Sequence, residues 1–118
     1  MIIYALSSGR GPSGIAIVRI SGINTLKVCK NLTKLKDINS NEVNYCQFYD
    51  PKNNVVIDPE ALLLWFPGPN SYTGEDLAEF QVHGSNAVIT ALLKALSEQE
   101  NSRLAEPGEF TKLAFQND

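Results

Sequence analysis

Residues 15–20, IAIVRI, carry apolar side chains on nearly both faces of an extended chain, and no other stretch constrains the fold as strongly. Ile15, Ile17 and Arg19 alternate with Ala16, Val18 and Ile20, the pattern of a strand buried in the middle of a sheet. Arg19 is its one odd residue, a cation whose burial without a partner would be expensive. The run opens directly after SSGRGPSG, in which Gly9, Gly11 and Gly14 have the spacing G-x-G-x-x-G. In a dinucleotide-binding unit those glycines open a helix, because the pyrophosphate sits on the helix N-terminus. Here they open a strand. A phosphate-binding P-loop fails too, since Ile15 and Ala16 stand where Lys and Ser or Thr are needed. What remains is a strand–loop–strand connection. Its glycines either form a plain turn or allow close approach of a ligand or a second backbone.

The other elements follow from periodicity. MIIYAL is a β-branched and aromatic strand ahead of the glycine loop. SGINTLKVCKNLTKL reads as a helix with Asn24 as N-cap and Val28, Leu32 and Leu35 on its apolar side. VNYCQFYD and NVVI flank the turn PKNN as a hairpin, and EALLLWFP is a further strand stopped by Pro67 and Pro69. After the turn-rich PGPNSYTGED, LAEFQVHG alternates as a strand with Glu79, Gln81 and His83 on one face. SNAVITALLKALSEQ is a helix capped by Ser85, its stripe formed by Val88, Ile89, Leu92, Leu93 and Leu96. PGEFTKLAF starts a last helix, with Pro107 near its first position and Glu109 in its first turn. Mixed neighbouring strands and crossovers favour a single α+β domain over residues 1–118, a mixed β-sheet with flanking helices. The last helix reaches Asp118 without an evident stop, as expected of a piece of a longer protein.

Chemistry-bearing residues are few. At a net charge of −3 there is no electrostatic drive for tight nucleic-acid binding. Lys27, Lys30 and Lys34 share a helix face that could meet an anionic partner, or simply be solvated. Cys29 and Cys46 have no metal-type spacing; they either form a disulfide or, the favoured reading, are reduced, buried thiols. His83 is the only histidine, which leaves no metal cluster and no Ser–His–Asp arrangement to argue for; no catalytic residue is assigned. Glu79 could accept two parallel N–H donors, either from an amidine-like heterocycle edge or from Arg. Arg19 either pairs with such a carboxylate or awaits a ligand. No apolar run is long enough to span a bilayer, and a cytoplasmic setting is expected.

Three strings go further: GRGPSGIAIVRISG (9–22), FPGPNSYTGEDLAEFQVHGS (66–85) and RLAEPGEFTKLAFQND (103–118). In order and spacing they resemble the N-terminal domain of the MnmE (TrmE) family of tRNA modification GTPases. The resemblance spans the chain from Ile2 to Asp118 and is looser between Ile23 and Glu60. It implies a fold like the folate-binding fold of aminomethyltransferases, homodimerisation, and binding of 5-formyltetrahydrofolate or another reduced folate near the dimer interface. It also implies a helical domain and an inserted G domain that binds GTP, magnesium and potassium, both outside this chain. With the flavoprotein partner MnmG, such proteins add an aminomethyl-type group to carbon 5 of the tRNA wobble uridine.

Carried over by motif, the family's folate-contacting Arg falls on Arg19 and its folate-contacting Glu on Glu79, while a third contact, a Lys, would follow Asp118. Tyr72 becomes a candidate ring-stacking residue at the mouth of the pocket, and Arg10 a candidate interface residue. The chain has no G-K-[ST] and no N-K-x-D, so by itself it is expected not to hydrolyse GTP. The competing reading is a dimerisation scaffold with no ligand of its own, in which Arg19 and Glu79 form an internal ion pair.

Overall fold

Nine elements follow one another in the computed structural model, which describes residues 1–7 and 14–117. They are β1 (Ile2–Leu6), β2 (Ile15–Gly22), α1 (Thr25–Thr33), β3 (Val43–Asp50), β4 (Val55–Phe66), β5 (Leu77–His83), α2 (Asn86–Ser97), β6 (Ser102–Leu104) and α3 (Glu109–Gln116). The strands form one sheet in the order β3-β4-β5-β2-β1-β6. All neighbours are antiparallel except β1 and β6, so the sheet is mixed and the fold is α+β. The apolar β2 lies inside the sheet, between β1 and β5, as its composition requires.

Register and alternation sort the side chains. Val18 faces Phe80, and Phe80 faces Leu63 on its other side. These three are fully buried in one core with Val28 and Leu32 of α1 and with Leu92 and Leu96 of α2. Phe48 of β3 closes that core, its ring centroid 4.7 Å from that of Phe80. The two longer helices thus cover one face of the sheet. Because successive strand residues point to opposite faces, the positions next to this core row belong to the uncovered face.

Several elements depart from the sequence reading. The two strands expected at NVVI and EALLLWFP are a single strand, β4, running through Pro59. Pro59 is tolerated because the β3–β4 register shifts there, and β5 pairs only with Leu62–Phe66. SRL, passed over as a connection, is the edge strand β6, parallel to β1. α1 is shorter than its apolar spacing implied, because Ser21 and Gly22 still belong to β2 and Lys34 turns left-handed at φ 61°. Asn24 occupies the N-cap position but at φ 72°, and its side chain makes no capping bond. Thr25 instead donates to the Gly22 carbonyl at 2.6 Å. Pro107 lies outside α3, whose N-cap is Gly108, while Glu109 takes the first turn as expected. Ser85 does cap α2, accepting from the Val88 N–H. Of the opening loop, Gly14 adopts φ +71°, and its carbonyl accepts the Gly84 N–H. Gly9, Gly11 and Arg10 lie outside the described residues.

A cleft on the open face of the sheet

One step along β2 and β5 from the core pair Val18–Phe80, the register sets Arg19 directly opposite Glu79. Arg19 Nη2 lies 3.5 Å from Glu79 Oε2, and the other carboxylate oxygen accepts from Gln81 Nε2 at 3.2 Å. Alternation therefore builds a charged row from the same strands that build the core. The Arg19–Glu79 contact is long, and the Arg19 Nε is buried without a hydrogen-bond acceptor. Such an orphaned donor is costly unless something else completes it.

The segment 67–76 between β4 and β5 forms the second wall. Thr73, fully buried, bonds to Ser21 Oγ at 2.8 Å and so pins this segment to the end of β2. Asp76 accepts from the Gly68 N–H, and its backbone carbonyl takes both Gly22 N–H and Ser21 Oγ. Tyr72 then projects over Arg19, whose guanidinium carbon is 5.6 Å from the ring centroid. The result is a cleft of about 480 Å³ lined by Arg19, Phe66, Asn70, Tyr72, Leu77 and Glu79. It offers a carboxylate, a cation, an aromatic face and apolar walls, the equipment to grip a flat heterocycle. A slightly larger hollow on β3 and β4, lined by Tyr45, Pro59, Glu60 and Leu62, lacks a cation to face its one carboxylate.

His83, third of the polar residues on β5, stands apart from this cleft. Its Nδ1 lies 3.0 Å from the carboxylate of Asp58, which also accepts the His83 and Glu60 backbone N–H groups. Asp58 is wholly buried whereas the His83 side chain is 60% exposed. His83 is thus a hydrogen-bonded histidine whose partner, Asp58, the sequence reading missed. Among the described residues, no group of three His, Cys, Asp or Glu side chains gathers where it could hold a metal. Cys29 and Cys46 are free thiols. Burial, and secondarily the Asp58 charge, pushes Cys46 up to about 12, and burial pushes Cys29 higher still. Neither is a thiolate at neutral pH, so neither is an activated nucleophile. Lys27 and Lys30 are exposed on α1 and Lys34 at its C-cap, with the Lys34 ammonium 4.1 Å from the Tyr49 ring centroid.

The mixed sheet and its flanking helices define an α+β domain with a charged cleft on the open face of the sheet. A family model described as "GTP-binding protein TrmE N-terminus" matches residues 2–118, and the chain belongs to this family. It is 56% identical over 117 residues to the tRNA modification GTPase MnmE of Pelagibacter ubique, covering 99% of this chain and 26% of that protein. It is 46% identical to the mitochondrial tRNA modification GTPase gtpbp3 of Dictyostelium discoideum, covering 98% of this chain and 23% of that protein. It is 45% identical to the human mitochondrial 5-taurinomethyluridine-[tRNA] synthase subunit GTPB3, with 98% and 23% covered. The chain thus spans about a quarter of the length of these curated relatives. No described helix is long and apolar enough to cross a membrane.

Proposed function

We propose that this chain is the N-terminal domain of a cytoplasmic tRNA modification GTPase, and that its cleft binds a reduced folate such as 5-formyltetrahydrofolate. The observation that carries this reading is the Arg19–Glu79 pair set in register on the open face, with the Arg19 Nε buried and unsatisfied. A pterin presents a ring N–H beside an exocyclic amine, and the Glu79 carboxylate accepts that pair of donors. Gln81 holds the second Glu79 oxygen in place. Arg19 turns its unused donor to a carbonyl of the ligand, and Tyr72 covers the heterocycle from the 67–76 side. The folate supplies a one-carbon unit. The residues of this chain bind and orient it and shield it from water, and no catalytic group is assigned to them.

The same family reading makes the domain a homodimer that works with the flavoprotein MnmG on the wobble uridine of tRNA. GTP, magnesium and potassium belong to the G domain of the longer protein. The experiment is a calorimetric titration of the chain with 5-formyltetrahydrofolate, beside Glu79→Gln protein shown to be folded by circular dichroism. Saturable binding, weakened at least tenfold by Glu79→Gln, is expected from the loss of a charged, paired acceptor. A chain that shows no saturable binding is instead a dimerisation scaffold in which Arg19 and Glu79 are only an ion pair.

A further inference from the structure

Charge is segregated along this chain. All 13 acidic residues follow Lys36, whereas six of the ten Lys and Arg precede them or end that run: Arg10, Arg19, Lys27, Lys30, Lys34 and Lys36. The net charge of −3 therefore averages a basic first part with an acidic remainder. Folding gathers four of the six at one helix. Lys27 and Lys30 are exposed on α1, Lys34 at its C-cap and Lys36 just beyond it. None of these four forms an ion pair among the described residues, whereas Arg19, Lys52 and Arg103 each do. The helix dipole accounts for Lys30 and Lys34, since cations are stabilised at a C-terminal end. It does not account for Lys27, which stands in the first turn, where an acid is favoured and none is present. Such a break with local preference, with no ion pair to offset it, points to a role outside the fold. Lys27 also borders a hollow of about 440 Å³ between α1 and the 99–101 turn, lined by Asn24, Asn31, Gln99, Glu100 and Asn101. Asn31 Nδ2 donates to Gln99 Oε1 at 3.2 Å, which sets two of these amides side by side. Four amides and an ammonium outnumber its single carboxylate.

We infer that the exposed side of α1 is an RNA-contacting surface, in which the lysines take backbone phosphates of tRNA and the amide hollow takes a ribose hydroxyl. The inference rests on the tRNA part of the proposed function and is independent of the folate cleft, because α1 covers the opposite face of the sheet. At a rise of 1.5 Å per residue, Lys27 to Lys34 spans about 10 Å along the helix axis, which suits successive phosphates of one strand. Ammonium groups supply affinity without sequence preference. Amides, which both donate and accept, suit the 2′-hydroxyl, the group by which a protein tells RNA from DNA.

The test is fluorescence anisotropy of this chain with a labelled tRNA transcript bearing uridine at the wobble position, between about 50 and 200 mM KCl. The all-deoxy strand of the same sequence and vesicles of phosphatidylglycerol and phosphatidylcholine are the competing probes. The wild type is expected to prefer the RNA several-fold over the DNA, with log K falling against log salt at a slope of about −2 to −3. Lys27→Gln and Lys30→Gln each reduce that slope by about 0.7–0.9 and weaken binding several-fold. Lys112→Gln, which removes the same charge from α3, stays within twofold. Asn31→Ala keeps the slope and loses the preference for RNA. All four substitutions fall outside the core, and circular dichroism checks the fold. No saturable binding at about 50 mM KCl, or equal weakening by Lys112→Gln, overturns the surface and leaves the proposed function standing. Vesicles bound as tightly through the same lysines make α1 a general anion surface; the RNA assignment then falls, and this chain gives the tRNA reading no support. An RNA preference that is absent, or unchanged in Asn31→Ala, removes the ribose contact.

Discussion

Phe80 and Glu79 are neighbours on one strand and live in different media. Phe80 is sealed between Val18, Leu63 and the α1–α2 layer, whereas Glu79 faces Arg19 across an open cleft. The backbone pairing is the same for both, so the contrast comes wholly from which face is covered. The helix-covered face draws its stability from packing, which is local, cumulative and indifferent to solutes. The open face retains polar groups whose needs are only partly met within the chain. A single register thus specifies a packed core on one face and a charged row on the other.

The contrast is broken most forcefully from the core side. Phe80→Ala is expected to cost about 3–5 kcal/mol in denaturant unfolding, while Glu79→Gln shifts stability by about 1 kcal/mol or less. Equal costs would mean that the open-face pair is part of the scaffold. A smaller effect is expected from Asp58→Ala, about 2–3 kcal/mol, because the His83 and Glu60 N–H groups lose a buried acceptor. Asp58→Asn retains an acceptor oxygen and should recover much of this. His83 is the only histidine, so its ring signals in ¹⁵N NMR report the change directly: protonated Nδ1 with Asp58 present, mixed tautomers without it. Wild-type stability in Asp58→Ala protein would remove the buried carboxylate from the scaffold.

The smallest effect belongs to the surface. Arg103 pairs with Glu109 in the first turn of α3 and holds its carboxyl down to about 2, from an ordinary 4.5. A depressed carboxylate stabilises the folded form above its unfolded value and loses that contribution as the proton returns. The start of α3 should therefore loosen between about pH 4.5 and pH 2, read from the Glu109–Thr111 amide signals. Arg103→Met should flatten that pH dependence, and a transition unchanged in the variant would detach it from this pair.

Reading the sequence went furthest where the signal is local. The alternation of IAIVRI and LAEFQVHG placed Arg19 and Glu79 on strands, and the apolar stripe of α2 was complete in its own residues. Their pairing was one of two open readings, since cross-strand register depends on how separate segments align. β4 was read as two pieces because Pro59 looks like a terminator, and only the bulge and the limited reach of β5 explain its presence. β6 has three residues, too few for any periodicity, and its partner β1 lies about a hundred residues away in sequence. Asp58 was overlooked for the same reason. Its role is set by His83, 25 positions later, and nothing nearby in the sequence marks it. Tyr72 entered through the family resemblance, and no pattern in its turn-rich surroundings marks it.

The docking of α3 has a thermodynamic corollary. With no buried residues of its own, the helix is held through Thr111 and Asn117 to the same segment that carries Tyr72. Helix attachment and cleft shape are accordingly linked equilibria. Any solute that prefers the attached arrangement raises its population by that preference, and no further. The exchange rates of the α3 amides then act as an internal gauge, reporting from the rim of the molecule on how the 67–76 segment is held.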